Sequence, residues 1–276
     1  MQKRRKPSRN VETIKKVVSL FKSNISPQKI GEILDLNPSS VRNILHKEGF
    51  NLNHRGPKSL IGNENYFDNI DSEDKAYFLG WLMADGNISI YNNQYFLKIH
   101  ISEQDRDISD CFMEKTQSKN KIRIESMEDK KYISISLSSK HMCQSLMSYG
   151  IVPRKTGFED IPNNINKNMI SHFIRGYFDG DGITCIKKNK RSGFISSKVL
   201  LDKIQSILNI NKKEFHPSNT KNENIFYFLI GKDESRKLYD YMYNNATIWM
   251  KRKRERMDII CGNTEITDDT KETSVS

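Results

Sequence analysis

Cysteine is scarce: Cys111, Cys143, Cys185 and Cys261 lie far apart in 276 residues and form no CxxC pair. That spacing excludes a zinc ribbon or a disulfide framework and predicts a reducing, intracellular setting. Long apolar runs are missing too. The longest, YFLGWLMA at 77–84 and IFYFLI at 225–230, are far too short for a membrane span, so no membrane partner is expected. The basic start MQKRRKPSRN has no apolar segment behind it, which argues against a signal peptide. There is no Walker loop, no dinucleotide fingerprint and no HExxH, and the histidines show no metal-ligand spacing. The chain does not end in His-Asn, so a free-standing protein is expected rather than one released by splicing.

What is present is positive charge, unevenly placed. The formal net charge is +11. Residues 1–60 hold 13 Lys/Arg against 4 Asp/Glu, or +9; residues 61–261 hold 31 against 26, or +5; the tail 262–276 holds 1 against 4, or −3. A basic module ahead of a mildly basic body is the footprint of a nucleic-acid binder.

Residues 1–50 predict a small all-helical domain. Val11, Ile14, Val17, Val18 and Phe21 recur at helical spacing. Ser26-Pro27 opens a second helix in cap-then-proline order, with Ile30, Ile33 and Leu34 as its apolar face. After the Asn37-Pro38 turn, a third helix carries Val41, Ile44 and Leu45 inward, and Gly49 closes it. The stretch resembles the helix-turn-helix of recombinase and resolvase DNA-binding domains. That resemblance implies base contacts from Ser39, Ser40, Arg42 and Asn43. Residues 51–74, polar and broken by Gly56-Pro57, read as a linker, and the acidic tail 262–276 as flexible.

From residue 75 the chain repeats itself, over 75–160 and again over 161–261. Apolar helices at 75–85 and 167–181 are each followed by strand, strand, helix, strand, strand and helix. The predicted fold class is α+β: two pseudo-symmetric αββαββα repeats with antiparallel saddle-shaped sheets, helices packed on one face. Aligning Asp85 with Asp181 superposes Gly80 on Gly176, Trp81 on Tyr177 and Gly86 on Gly182. Arg154-Lys155 and Arg252-Lys253 recur at nearly the same interval, the lysines 70 and 72 residues after their acids.

Each apolar helix ends in an acid. Small residues four apart, Gly80/Ala84 and Gly176/Gly180, let two helices approach with backbones nearly touching. Asp85 and Asp181 then meet at the foot of the pair, with Gly86 and Gly182 in the left-handed position that terminates each helix. Two carboxylates at helix C-termini repel each other and the helix dipoles, unless a cation lies between them. Hard divalent ions such as Mg²⁺ need few carboxylates when phosphate oxygens complete the shell. Lys155 and Lys253, flanking the acids, would neutralise developing charge or activate water.

LGWLMADG and IRGYFDGDG resemble the two helix motifs of the LAGLIDADG homing endonucleases in their single-chain form. The resemblance covers about residues 68–260 and implies a monomeric, sequence-specific double-strand DNA endonuclease using Mg²⁺ or Mn²⁺ in a bacterial or phage-infected cell. It implies a metal site at Asp85 and Asp181 with Gly86 and Gly182, the two lysines beside it, and base reading by the concave sheet faces. Candidates there are Lys98, His100, Lys131, Ser134 and Ser196. The motif's earlier acid is Met83 in the first copy and Asp179 in the second. Two alternatives stay open: a non-cleaving DNA-binding regulator on the same scaffold, and a maturase whose partner is intron RNA.

Overall fold

Burial alternates along the central strands and follows a helical period in the outer helices, while residues 76–83 are buried on every side of their helix. The computed structural model describes residues 11–23, 25–50, 60–187, 189–220 and 222–264. The chain divides into two compact units, residues 1–58 and 59–276.

Among its described residues the first unit has three helices: α1 (Val11–Lys22), α2 (Pro27–Leu34) and α3 (Pro38–Lys47). Ser26 caps α2, its hydroxyl accepting from the Lys29 amide, and Asn37 caps α3 by accepting from Ser39. Val17, Ile30, Val41 and Leu45 form the core. Gly49 has φ +82, the left-handed stop expected of it. Val11 and Ile33, expected on apolar faces, are instead 65% and 53% exposed.

The second unit contains the two repeats. The first runs α4 (Glu73–Asp85), β1 (Gly86–Tyr91), β2 (Gln94–Ser102), α5 (Arg106–Lys115), β3 (Arg123–Met127), β4 (Lys130–Ser138), α6 (Lys140–Ser148). The second runs α7 (Ile170–Asp181), β5 (Gly182–Cys185), β6 (Arg191–Ser196), α8 (Lys198–Leu208), β7 (His216–Pro217), β8 (Phe226–Ile230), α9 (Lys232–Tyr243), α10 (Lys251–Cys261). Each repeat forms a four-stranded antiparallel sheet, in order β1-β2-β4-β3 and β5-β6-β8-β7. The predicted α+β class and αββαββα order are therefore what the chain adopts. Residues 60–72, expected in the linker, belong to this unit: Ile61, Tyr66, Phe67 and Ile70 are buried in its core. Residues 51–59 and 265–276 lie outside the described residues.

One side of each sheet faces the helices. Leu97, Ile99, Ile101, Ile133, Ile135 and Leu137 point inward from β2 and β4, and the residues between them face away. Between the sheets, α4 and α7 pack backbone to backbone. A Cβ on Gly80 would strike the Phe173 carbonyl, and one on Gly176 the Tyr77 carbonyl. Tyr77 and Phe173 correspond in the aligned repeats, so the two collisions are images of each other and mark a pseudo-two-fold relation. Only glycine permits this approach.

Candidate active site

The glycine contact fixes where the two helices end. Gly180 packs on Ala84, and a Cβ there would lie 2.9 Å from Asp85 Oδ2. The Asp85 carboxylate thus rests against α7 one residue before Asp181. Burial, then the charge of Asp181, pushes the Asp85 pKa up to about 7. Burial also raises Asp181. At about 1.4 kcal/mol per pKa unit, the protein holds its charged acids at a cost.

Both lysines come to the same place. Lys155 donates to the Ala84 carbonyl at 3.0 Å, and Lys253 donates to the Gly182 carbonyl. Both are buried, and burial lowers both pKa values, that of Lys253 to about 8. Their ammonium groups neutralise the partial charge at the helix ends, and Asp85 lines the groove that opens beside them. Among the described residues, no three or more His, Cys, Asp or Glu side chains cluster as metal ligands. Two carboxylates with phosphate oxygens still suffice for a hard divalent ion, so the donor set fits one.

Gly86 and Gly182 differ from expectation. Their φ values are −79 and −72, extended rather than left-handed. Glycine is required for space: a Cβ on Gly86 would lie 2.6 Å from the Leu82 carbonyl, and one on Gly182 would meet the Phe178 carbonyl and ring. The chain turns straight from helix into strand, and the Gly182 carbonyl is already occupied by Lys253.

A groove of about 620 Å³ opens from Asp85 across the outer face of the first sheet, lined by Asn87, Lys98, His100, Arg123, Ser134 and Ser136. Lys98, His100 and Ser134 were expected there. Asn87, Arg123 and Ser136 were missed, although the period-two rule applied to β1, β3 and β4 would have found them. Two expected residues lie elsewhere. Lys131 shares the inward parity of Ile133 and Ile135; it projects at the strand end with its ammonium 4.0 Å from Glu103. Ser196 is buried on the core face of β6, accepting a 2.8 Å hydrogen bond from Tyr177. Ser39, Arg42 and Asn43 are exposed on α3 and Ser40 is half-buried.

Buried polar links that sequence reasoning had not singled out frame the site. Arg252 grips buried Asp105 through two hydrogen bonds of 3.1 and 2.8 Å, joining α10 to the first repeat. Asp179 accepts from the Tyr77 hydroxyl and the Met250 amide, both at 2.6 Å, and so fixes the start of the helix that carries Lys253. Arg175, fully buried, donates to Ile248 and Met242 carbonyls and to Glu73.

No protein-family model and no curated protein matches the chain. Among solved structures it is similar to mesophilic variants of the homing endonuclease I-DmoI, at 16% identity and a TM-score of 0.45, covering 66% of this chain and 98% of that one. It is similar to a double mutant of I-SmaMI at 11% identity and TM-score 0.48, covering 67% and 88%. It is also similar to the I-LtrWI LAGLIDADG homing endonuclease bound to target DNA, at 10% identity and TM-score 0.45, covering 77% and 92%. Among the described residues, no helix is long and apolar enough to cross a membrane.

Proposed function

We propose that the protein is a divalent-metal-dependent, sequence-specific double-strand DNA endonuclease of the homing type, acting as a monomer. The observation that carries this reading is the convergence of Asp85, Asp181, Lys155 and Lys253 where two pseudo-symmetric helices end. Asp85 and Asp181 would hold the metal, Mg²⁺ or Mn²⁺. The ion would stabilise the attacking and leaving oxygens of phosphodiester hydrolysis. Each acid serves one strand of the duplex, because the pseudo-two-fold of the helices matches the dyad of DNA. Lys155 and Lys253 sit behind the acids and stabilise charge developing at the scissile phosphate. Asn87, Lys98, His100 and Arg123 donate to base edges along the first sheet, and the three-helix unit, through Ser39, Ser40, Arg42 and Asn43, lengthens the footprint.

The test is incubation of fragmented genomic DNA from A+T-rich bacteria and their phages with the protein in Mg²⁺ and in EDTA, then sequencing of new ends. Breaks at one long site with a fixed stagger, absent in EDTA, are expected. Enrichment of bound duplex without breaks would favour a DNA-binding regulator, and preference for structured RNA would favour a maturase.

A further inference from the structure

The residues that line the groove of the first repeat have register counterparts in the second. In the first sheet, Asn87 stands opposite Lys98, Lys98 opposite Ser136, His100 opposite Ser134, and Arg123 opposite Ser134. In the second, Ile183 stands opposite Gly193, Gly193 opposite Leu229, Ile195 opposite Tyr227, and His216 opposite Tyr227. Counting from the aligned acids, Asn87 corresponds to Ile183, Lys98 to Gly193, Ser136 to Leu229 and His100 to Ile195. Ser134 corresponds to Tyr227, and Arg123 to His216. Every one of these six carries a hydrogen-bonding side chain, and of their counterparts only Tyr227 and His216 do; the one reversal is Phe96, which also lines the groove and corresponds to Arg191 at the border of the second face.

The second face is open to a ligand. Ile183, Ile195 and Leu229 are half-buried rather than sealed beneath other elements, and Leu229 lies across Gly193, whose added Cβ would be 3.0 Å from Leu229 Cδ2. Cations border it: Lys187, Lys190 and Arg191 are exposed on and before β6. An apolar floor with a cationic edge suits a phosphate-backed surface that presents apolar groups. In the major groove the apolar group on a base edge is the C5-methyl of thymine.

We propose that the two halves of the DNA target are read by different chemistry: hydrogen bonds beneath the first sheet, and apolar contact with thymine methyl groups beneath the second. The inference rests on the endonuclease reading above and refines it. Changing one base in the first half costs about five- to 150-fold in affinity. The second half is thymine-rich, and each methyl contact there is worth about fourfold.

The experiment selects bound duplexes from a randomised library with the full chain, then replaces thymine by deoxyuridine in each half separately. Expected are mixed-base preferences in one half and thymine in the other, with deoxyuridine weakening binding about fourfold per site only in the thymine half. Ile195→His should move the second half's preference from thymine towards a purine. Equal mixed-base preferences in both halves, or indifference to deoxyuridine throughout, would overturn the inference while leaving the endonuclease reading intact. Failure to enrich any duplex would instead overturn the endonuclease reading and this one with it.

Discussion

The helices α4 and α7 align residue for residue, yet they are anchored differently. Where α4 has Leu79 and Met83, α7 has Arg175 and Asp179. Met83 reaches towards Gly150, beside a cavity of about 350 Å³ that extends to Asp160 and Asn164. Asp179 instead holds the Met250 amide, and Arg175 collects the Met242 and Ile248 carbonyls together with Glu73. From α7 the segment leading to Lys253 is therefore held by directional bonds, whereas α4 meets the segment leading to Lys155 by apolar contact. Symmetry in this chain is kept where backbones touch and where the acids stand. It is relaxed in what holds each lysine.

The largest expected effect tests whether the acids remain equivalent despite this. Asp85→Asn and Asp181→Asn should each reduce double-strand cleavage by about a thousandfold or more while DNA binding persists, a loss of about 4 kcal/mol of transition-state stabilisation. On supercoiled plasmid carrying the target, linear product should disappear. Undiminished linear product from either variant would remove that acid from the site.

Next in size are the glycines. Gly80→Ala and Gly176→Ala each drive a methyl into a backbone carbonyl of the other helix, so each should destabilise the second unit by about 3 kcal/mol or more. Urea unfolding followed by far-UV circular dichroism gives the values, and similar losses are expected because the pseudo-two-fold relates the two collisions. Arg175→Met comes after. It leaves the Met242 and Ile248 carbonyls without that donor and breaks the ion pair with Glu73, which keeps its bonds from Thr247 and Ile248, for a loss of about 3 kcal/mol. Leu79→Met, its counterpart, should cost under about 1.5 kcal/mol. Equal losses would erase the distinction between the two anchors.

A smaller effect depends on pH. Asp85 in the folded chain has its pKa near 7 against 3.8 unfolded, so its ionisation opposes folding. The penalty is absent below about pH 4, grows as pH rises, and is complete above about pH 7. In metal-free buffer, Asp85→Asn should therefore stabilise the protein at pH 8 and do so by less than half as much at pH 5, read as melting temperature. Smallest is the effect of deleting residues 1–50: weaker binding, with the salt slope reduced by about one for each phosphate no longer neutralised.

Much of this was legible from the chain. Two apolar helices ending in Asp-Gly, small residues four apart and the recurring Arg-Lys pairs gave the repeat, the helix contact and the four residues at its foot. Alternation gave the number and order of the strands in each repeat, because a half-buried sheet imposes a period of two. The failures have the same origin. Lys131 and Ser196 were chosen as polar residues on the right strands without counting parity from the buried isoleucines. Gly86 and Gly182 were assigned a backbone conformation when their requirement was space. Arg252 with Asp105, separated by 147 residues, and Arg175 with Glu73, separated by 102, join elements that only folding brings together, so no local pattern announces them.

The glycine contact between α4 and α7 also acts as a fixed gauge. With carbonyls of each helix seated on the glycine of the other, the backbones that carry Asp85 and Asp181 are held at a fixed separation. If the chain cuts DNA as proposed, the interval between the two cuts would belong to the backbone, and the choice of bases to the sheets. On the endonuclease reading proposed above, replacing Lys98, His100 or Ile195 should change the preferred target and leave the length of the overhang as it was.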